Sequence, residues 1–295
     1  MFQLLGIAPQ ALFGQLLIGL INGSFYALLS LGLAVIFGLL NIINFSHGAL
    51  YMMGAFCAWF LLTMLGVGYW WALLLSPIAI AAVGMVIERS MLRWLYRLDP
   101  LYGLLLTFGL ALVIQGLFQN AYGSSGQPYE IPASLTGGYN LGFMFLPVYR
   151  AWVVLASAVL CLGTWLIIER TKLGSYLRAA TENPALVQAF GINVPRMITL
   201  TYGFGVGLAA LAGVMAAPIY QVSPLMGADL IIVVFAVVVI GGMGSIMGSI
   251  LTGFGLGVIE GLTKVFYPEA SNTVIFVIMA IVLLIKPAGL FGRAA

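Results

Sequence analysis

Nine apolar runs, each near the length of a bilayer crossing, set the plan of this 295-residue chain. They are 12–38, 47–65, 70–87, 101–119, 148–168, 198–218, 230–243, 246–263 and 273–290. A helix needs about 20 mainly apolar residues to cross about 30 Å of hydrocarbon. The runs are too long and too continuously apolar for the alternating strands of a membrane barrel. Backbone polar groups in lipid must be satisfied inside the segment, and helices do this. The predicted fold class is all-α, a polytopic transmembrane helical bundle of about 8–10 spans. Two places leave the count open. The first run is long enough to kink or split, and a split would move the N-terminus from outside to inside. The runs at 230–263 are separated only by Gly241, Gly242, Gly244 and Ser245, a broken Gly-rich passage and a candidate hinge.

The charged residues support this reading. They make up 6% of the chain, against about a quarter in a soluble domain. Eleven Lys and Arg, eight Asp and Glu and one His cannot cover a soluble surface. A large soluble enzyme, a secreted binding protein and a nucleic-acid partner are excluded, and the lipid bilayer is the main solvent. No domain boundary is visible, so residues 1–295 read as a single transmembrane domain. The first ten residues carry no basic residue and no small-residue cleavage motif, so the first span reads as retained.

The cations mark sides. Arg89, Arg93 and Arg97, then Arg170, Lys172, Arg178 and Arg196, then Lys286 and Arg293 each form a cluster expected to face the cytoplasm. This places 88–100, 169–197 and the C-terminus inside. The segment 120–146, with Glu130 and no cation, is expected outside as an ordered loop with short structured pieces. Segment 169–197 has helical composition broken at Pro184. It reads as two short helices, with Asn183 as cap and Pro184 in the first turn of the second. Ala185, Leu186 and Ala189 offer a compact apolar face there, with Arg178, Glu182 and Arg196 at its rim.

Chemistry that would change a substrate is missing. Gly241-Gly242-Met243-Gly244-Ser245 lacks the Lys-Ser/Thr end that a phosphate-binding loop needs. The one histidine, His47, has no nearby His or Cys to complete a metal site, and it reads as a hydrogen-bonding residue at a helix start. Cys57 and Cys161 lie in apolar runs and read as small hydrophobes. Lys264 and Lys286 read as snorkelling anchors at span ends. No nucleophile–base pair is evident, so no catalytic, cofactor-binding or metal-binding residue is assigned. Polar residues within spans are few: Asn22 and Tyr26 share a helix face, Gln115 sits in the fourth span and Glu260 near the end of the eighth. No buried carboxylate or Arg series marks an ion-coupled carrier, although backbone carbonyls can hold sodium. Gly19 and Gly23, Gly203 and Gly207, Gly244 and Gly248, and Gly253, Gly257 and Gly261 recur at four-residue intervals, which suits close helix packing in lipid.

Several stretches occur together in order. They are Asn22-Gly23-Ser24-Phe25-Tyr26-Ala27-Leu28, Ile43-Asn44-Phe45-Ser46-His47-Gly48, Gly174-Ser175-Tyr176-Leu177-Arg178-Ala179, Val239-Ile240-Gly241-Gly242-Met243-Gly244-Ser245, and Lys286-Pro287-Ala288-Gly289-Leu290-Phe291-Gly292. The ordered set resembles the membrane permease subunits of branched-chain amino acid ABC importers, H type, over nearly the whole chain. The family pattern usually has Ala where this chain has Ser46. The resemblance implies a permease domain in the bacterial inner membrane that passes Leu, Ile or Val inward by alternating access. It implies a second related permease subunit, two cytoplasmic ATPase subunits that use ATP-Mg, and an external substrate-binding protein. The candidate substrate path is Asn22, Tyr26, Asn44, Ser46 and His47. The candidate ATPase-coupling residues are Arg178, Glu182, Asn183, Pro184, Ala185, Leu186 and Ala189. Two alternatives stay open: a urea or short-amide permease of the same family, and a stand-alone secondary transporter or channel.

Overall fold

The computed structural model describes residues 9–40, 44–96 and 98–292. Ile43, Arg97 and Arg293 lie outside the described residues. In chain order the helices are α1 Pro9–Leu40, α2 Ser46–Leu65, α3 Tyr69–Ile87, a π-helical turn Glu88–Leu92, α4 Arg93–Leu95, α5 Pro100–Tyr122, α6 Val148–Arg170, α7 Lys172–Glu182, α8 Pro184–Ala189, α9 Val194–Tyr220, α10 Met226–Gly241, α11 Ile246–Phe266 and α12 Val274–Ile285. A small hairpin, β1 Gly138–Asn140 paired antiparallel with β2 Phe145–Pro147, lies within the loop between α5 and α6. Among the described residues, seven helical stretches are long and apolar enough to cross a membrane, and α10 and α12 are shorter apolar helices. The fold is an all-α polytopic membrane bundle, and each of the nine apolar runs carries a helix.

Four boundaries differ from the sequence reading. The first run is one unbroken helix over 9–40, so the split alternative does not occur there. The third helical stretch does not stop at 87 but runs on through the π turn to Leu95, because Glu88 is buried and bonded rather than released into a loop. Helix α9 begins at Val194, inside the segment assigned to 169–197: the Asn193 side chain accepts from Arg196 N at 3.1 Å and Pro195 fits the first turn. The last helix ends at Ile285, well short of 290. Pro287 disfavours helical geometry at Lys286, and Gly289 adopts a positive φ of 81°.

The chain forms two compact units. One comprises residues 1–30, 131–161 and 233–295, the other 31–130 and 162–232. In the first, the leading part of α1 packs on α11 through glycines. A Cβ added at Gly257 would collide with the Gly23 backbone and the Gly19 carbonyl oxygen, so only glycine permits this approach. In the second, α2, α3 and α9 pack together. Its buried cluster includes Ile36, Leu50, Ile80, Leu92, Tyr202, Val206 and Ala210. Gly54 lies against the Ala210 backbone and Gly213 against that of Tyr51, so backbone contact replaces side-chain interdigitation.

Candidate functional site

Helices α7 and α8 form the most distinctive segment outside the long helices. Asn183 caps α8, its side chain accepting from Leu186 N at 3.0 Å, and Pro184 occupies the first turn. The sequence reading of this joint holds. Gly174 and Leu177 of α7 and Val187 of α8 are buried and seat the pair. Gly174 lies against the Ile168 carbonyl near the end of α6. The outward side carries apolar residues among polar ones: Leu186 is 54% exposed and Phe190 76%, and Leu173, Tyr176, Ala185 and Ala189 are exposed beside Lys172, Ser175, Glu182 and Gln188. Arg178 pairs with Glu169 at 3.3 Å, an exposed pair of small energetic weight. Glu182 is exposed at the end of α7.

The glycine-rich passage is a turn with a lock on it. Gly242 and Gly244 have φ of 102° and 85°, which favours glycine. Ser245 N donates to Gly242 O at 2.9 Å, and the Ser245 hydroxyl caps α11 by accepting from Gly248 N at 3.1 Å. The chain after α12 returns to the end of α10. Leu290 N donates to Ile240 O at 2.8 Å and Phe291 N to Gly241 O at 3.1 Å, satisfying carbonyls that a helix end leaves open. Lys286 Nζ donates to Leu290 O at 2.7 Å, a local bond within the chain end that follows α12.

The residues of the candidate path fall in both units. Asn22 and Tyr26 are on α1 in the first. Tyr26 is buried, and its hydroxyl donates to Glu260 Oε2 at 2.7 Å; Asn22 is half-buried. Lys264 pairs with Glu260 one turn on, near the end of α11. Asn44, Ser46 and His47 belong to the second unit and are fully or almost fully buried. The Asn44 carboxamide organises the start of α2: its oxygen accepts from Ser46 N and Ser46 Oγ, and its nitrogen donates to the Tyr202 hydroxyl at 3.0 Å. Phe45 N donates to Thr107 Oγ1 at 3.2 Å. The His47 ring lies against Gly32. Beside this helix start is a cavity of about 230 Å³ lined by Phe45, Ala49, Phe108, Leu112, Ile231 and Gln115 among others, almost wholly apolar.

Sequence reasoning missed one cluster entirely and misjudged the buried acids. Glu260 and Glu88 are both buried carboxylates, contrary to the absence expected. Glu88 Oε2 accepts from Thr199 Oγ1 at 2.6 Å, Glu88 Oε1 accepts from the Tyr96 hydroxyl at 2.9 Å, and Arg93 Nη2 lies 3.6 Å from Oε2. Arg93 also donates to Thr199 Oγ1 at 2.8 Å and Pro195 O at 3.4 Å. Burial, and next the Glu88 charge, push the Tyr96 hydroxyl above its ordinary value and keep it a donor. A Glu and Lys four apart at 260 and 264 could have been read as a helix pair. Glu88 and Arg93 are five apart, and Thr199 is over a hundred residues away, so no local pattern signals that cluster.

Residues 15–283 match the protein family described as branched-chain amino acid transport system / permease component. The chain belongs to this permease family. The permease is 31% identical over 296 residues to the high-affinity branched-chain amino acid transport system permease protein LivH of Escherichia coli (strain K12), covering 95% of each chain. It is 32% identical over 294 residues to permease protein BraD of Pseudomonas aeruginosa, again covering 95% of each. It is also similar to permease protein LivM of Escherichia coli, at 28% identity over 90% of the permease and 67% of LivM.

Proposed function

We propose that the permease is the H-type membrane subunit of an ATP-driven ABC importer in the bacterial inner membrane. It takes Leu, Ile or Val from an external binding protein and passes it to the cytoplasm by alternating access. The observation that carries this reading is the α7–α8 pair, a seated, capped helical element that exposes Leu173, Tyr176, Leu186 and Phe190 within a polar rim. An apolar surface outside the long helices calls for a protein cover, and a cytoplasmic ATPase provides one. Two such ATPases hydrolyse ATP-Mg, while this chain binds no cofactor, breaks no bond and works as one permease domain over 1–295. The likeness to both LivH and LivM supports pairing with a second, related permease subunit. The apolar cavity beside the start of α2 supports an aliphatic cargo over urea or a short amide. In this reading Asn22, Tyr26, Asn44, Ser46 and His47 border the path, and Gly241, Gly242 and Gly244 form its hinge. Segments 88–100 and 169–197 and the C-terminus face the cytoplasm, and 120–146 faces outside.

Purification of the tagged permease from its own cells tests the reading. The second permease and both ATPases are expected to come with it. Ala185→Trp and Ala189→Trp are expected to weaken ATPase association by about tenfold, equivalent to about 1.4 kcal/mol. Insertion of the permease is expected to stay normal. Absence of ATPases from the wild-type preparation, or wild-type association in both bulky variants, contradicts it.

A further inference from the structure

The Glu88 cluster stands at the only stretch of π-helix among the described residues. Such single-turn irregularities inside helices recur at functional sites. The wider turn brings Arg93 and Tyr96 back onto the carboxylate of Glu88, at a spacing that an α-helix does not favour. The carboxylate is 0% exposed, and its other partner, Thr199, is on the second turn of α9. Only the four residues 190–193 separate the end of α8 from the start of that helix. The connection is tight: Ile192 N donates to Val187 O at 3.4 Å, Asn193 caps α9, and Val187 and Val194 are buried. Arg93 adds a second tie, to the Pro195 carbonyl in the first turn of α9. Thus the far end of the α3 stretch is fastened, through one buried charge, to the start of the helix that α7 and α8 lead into.

We propose that Glu88 is a positioning residue that transmits displacement of the α7–α8 segment, through the start of α9, to the α3 stretch. The inference rests on the coupling role proposed above for α7 and α8. A buried carboxylate held by two hydroxyls and a guanidinium has directional bonds, and it resists separation because an unpartnered charge in an apolar interior is costly. Apolar packing alone would let α9 slide past α3. The bonded carboxylate makes the two move together, or switch between two discrete arrangements.

The test uses the complete complex in liposomes, with both permeases, the ATPases and leucine-loaded binding protein. Its readouts are stimulation of ATP hydrolysis by the binding protein and leucine moved per ATP. Glu88→Gln and Thr199→Val are expected to leave assembly and unstimulated hydrolysis near wild type, while stimulation and leucine per ATP fall about fivefold or more, roughly 1 kcal/mol of lost coupling. The double variant is expected to be no worse than the poorer single one, since both cut the same link. Thr199→Ser, which keeps the hydroxyl, is expected to restore coupling. Wild-type coupling in both single variants overturns the proposal. So does a loss that merely follows loss of assembled complex in both, or a Thr199→Ser variant as uncoupled as Thr199→Val. Failure of the wild-type complex to assemble with ATPases or to be stimulated defeats the coupling reading itself, and this proposal with it. Coupling in the wild type with unchanged variants defeats this proposal alone.

Discussion

A carboxylate among apolar helices is tolerated only when its oxygens are paired. Glu260 meets that condition through Tyr26 on one oxygen and Lys264 on the other. Tyr26→Phe is expected to lower stability by about 1–3 kcal/mol, the cost of leaving a buried acceptor short of a donor. Thermal unfolding of the purified permease measures it, and an unchanged midpoint contradicts it. Asn22, one turn earlier on the same helix, is half-buried and makes a different prediction. Asn22→Leu is expected to reduce uptake at least several-fold while insertion and assembly persist, whereas parallel loss of folded protein would assign Asn22 to packing. At this scale the sequence was informative where the chemistry is local. Asn183 before Pro184 announced a helix cap, because the side chain bonds a backbone group three residues on. Glu88 was illegible because its partners come from a turn that the α-helical period does not anticipate and from a distant helix.

Helices in lipid gain little from apolar burial against each other and depend on close fit. The contact of α1 with α11 shows the requirement at Gly257, which has no room for a Cβ, and Gly255 serves as its control, since nothing lies within 4 Å of a Cβ added there. Gly257→Val is expected to abolish folded permease in membranes, while Gly255→Val leaves its amount unchanged. Quantitative blotting after detergent extraction reads both, and equal tolerance would contradict the packing assigned to α1 and α11. The four-residue spacing of Gly253, Gly257 and Gly261 made this contact readable as a helix-packing face, but the partner glycines could not be matched from sequence. Helix ends were harder. Hydropathy continued to 290, yet α12 stops at Ile285 and the following residues bond the end of α10. An apolar run records affinity for lipid or protein interior, not the backbone geometry of each residue in it.

For the whole molecule, nine apolar runs were enough to fix an all-α membrane protein, because lipid leaves the backbone so few options. The transport reading came from ordered motifs and the family match, and from a chain whose conspicuous element outside the long helices is a pair of short helices proposed to serve coupling. In the proposed cycle energy comes from partners, with differential binding of nucleotide states by an ATPase biasing two arrangements of the bundle. Radiolabelled leucine uptake into liposomes tests this most directly, with the permease, its partner permease, both ATPases and loaded binding protein present and ATP-Mg supplied on the ATPase side. Uptake is expected to require ATP hydrolysis and every component, and to be outcompeted by isoleucine and valine but not by urea. Leucine accumulation by the permease alone, without ATPases or ATP, would contradict it.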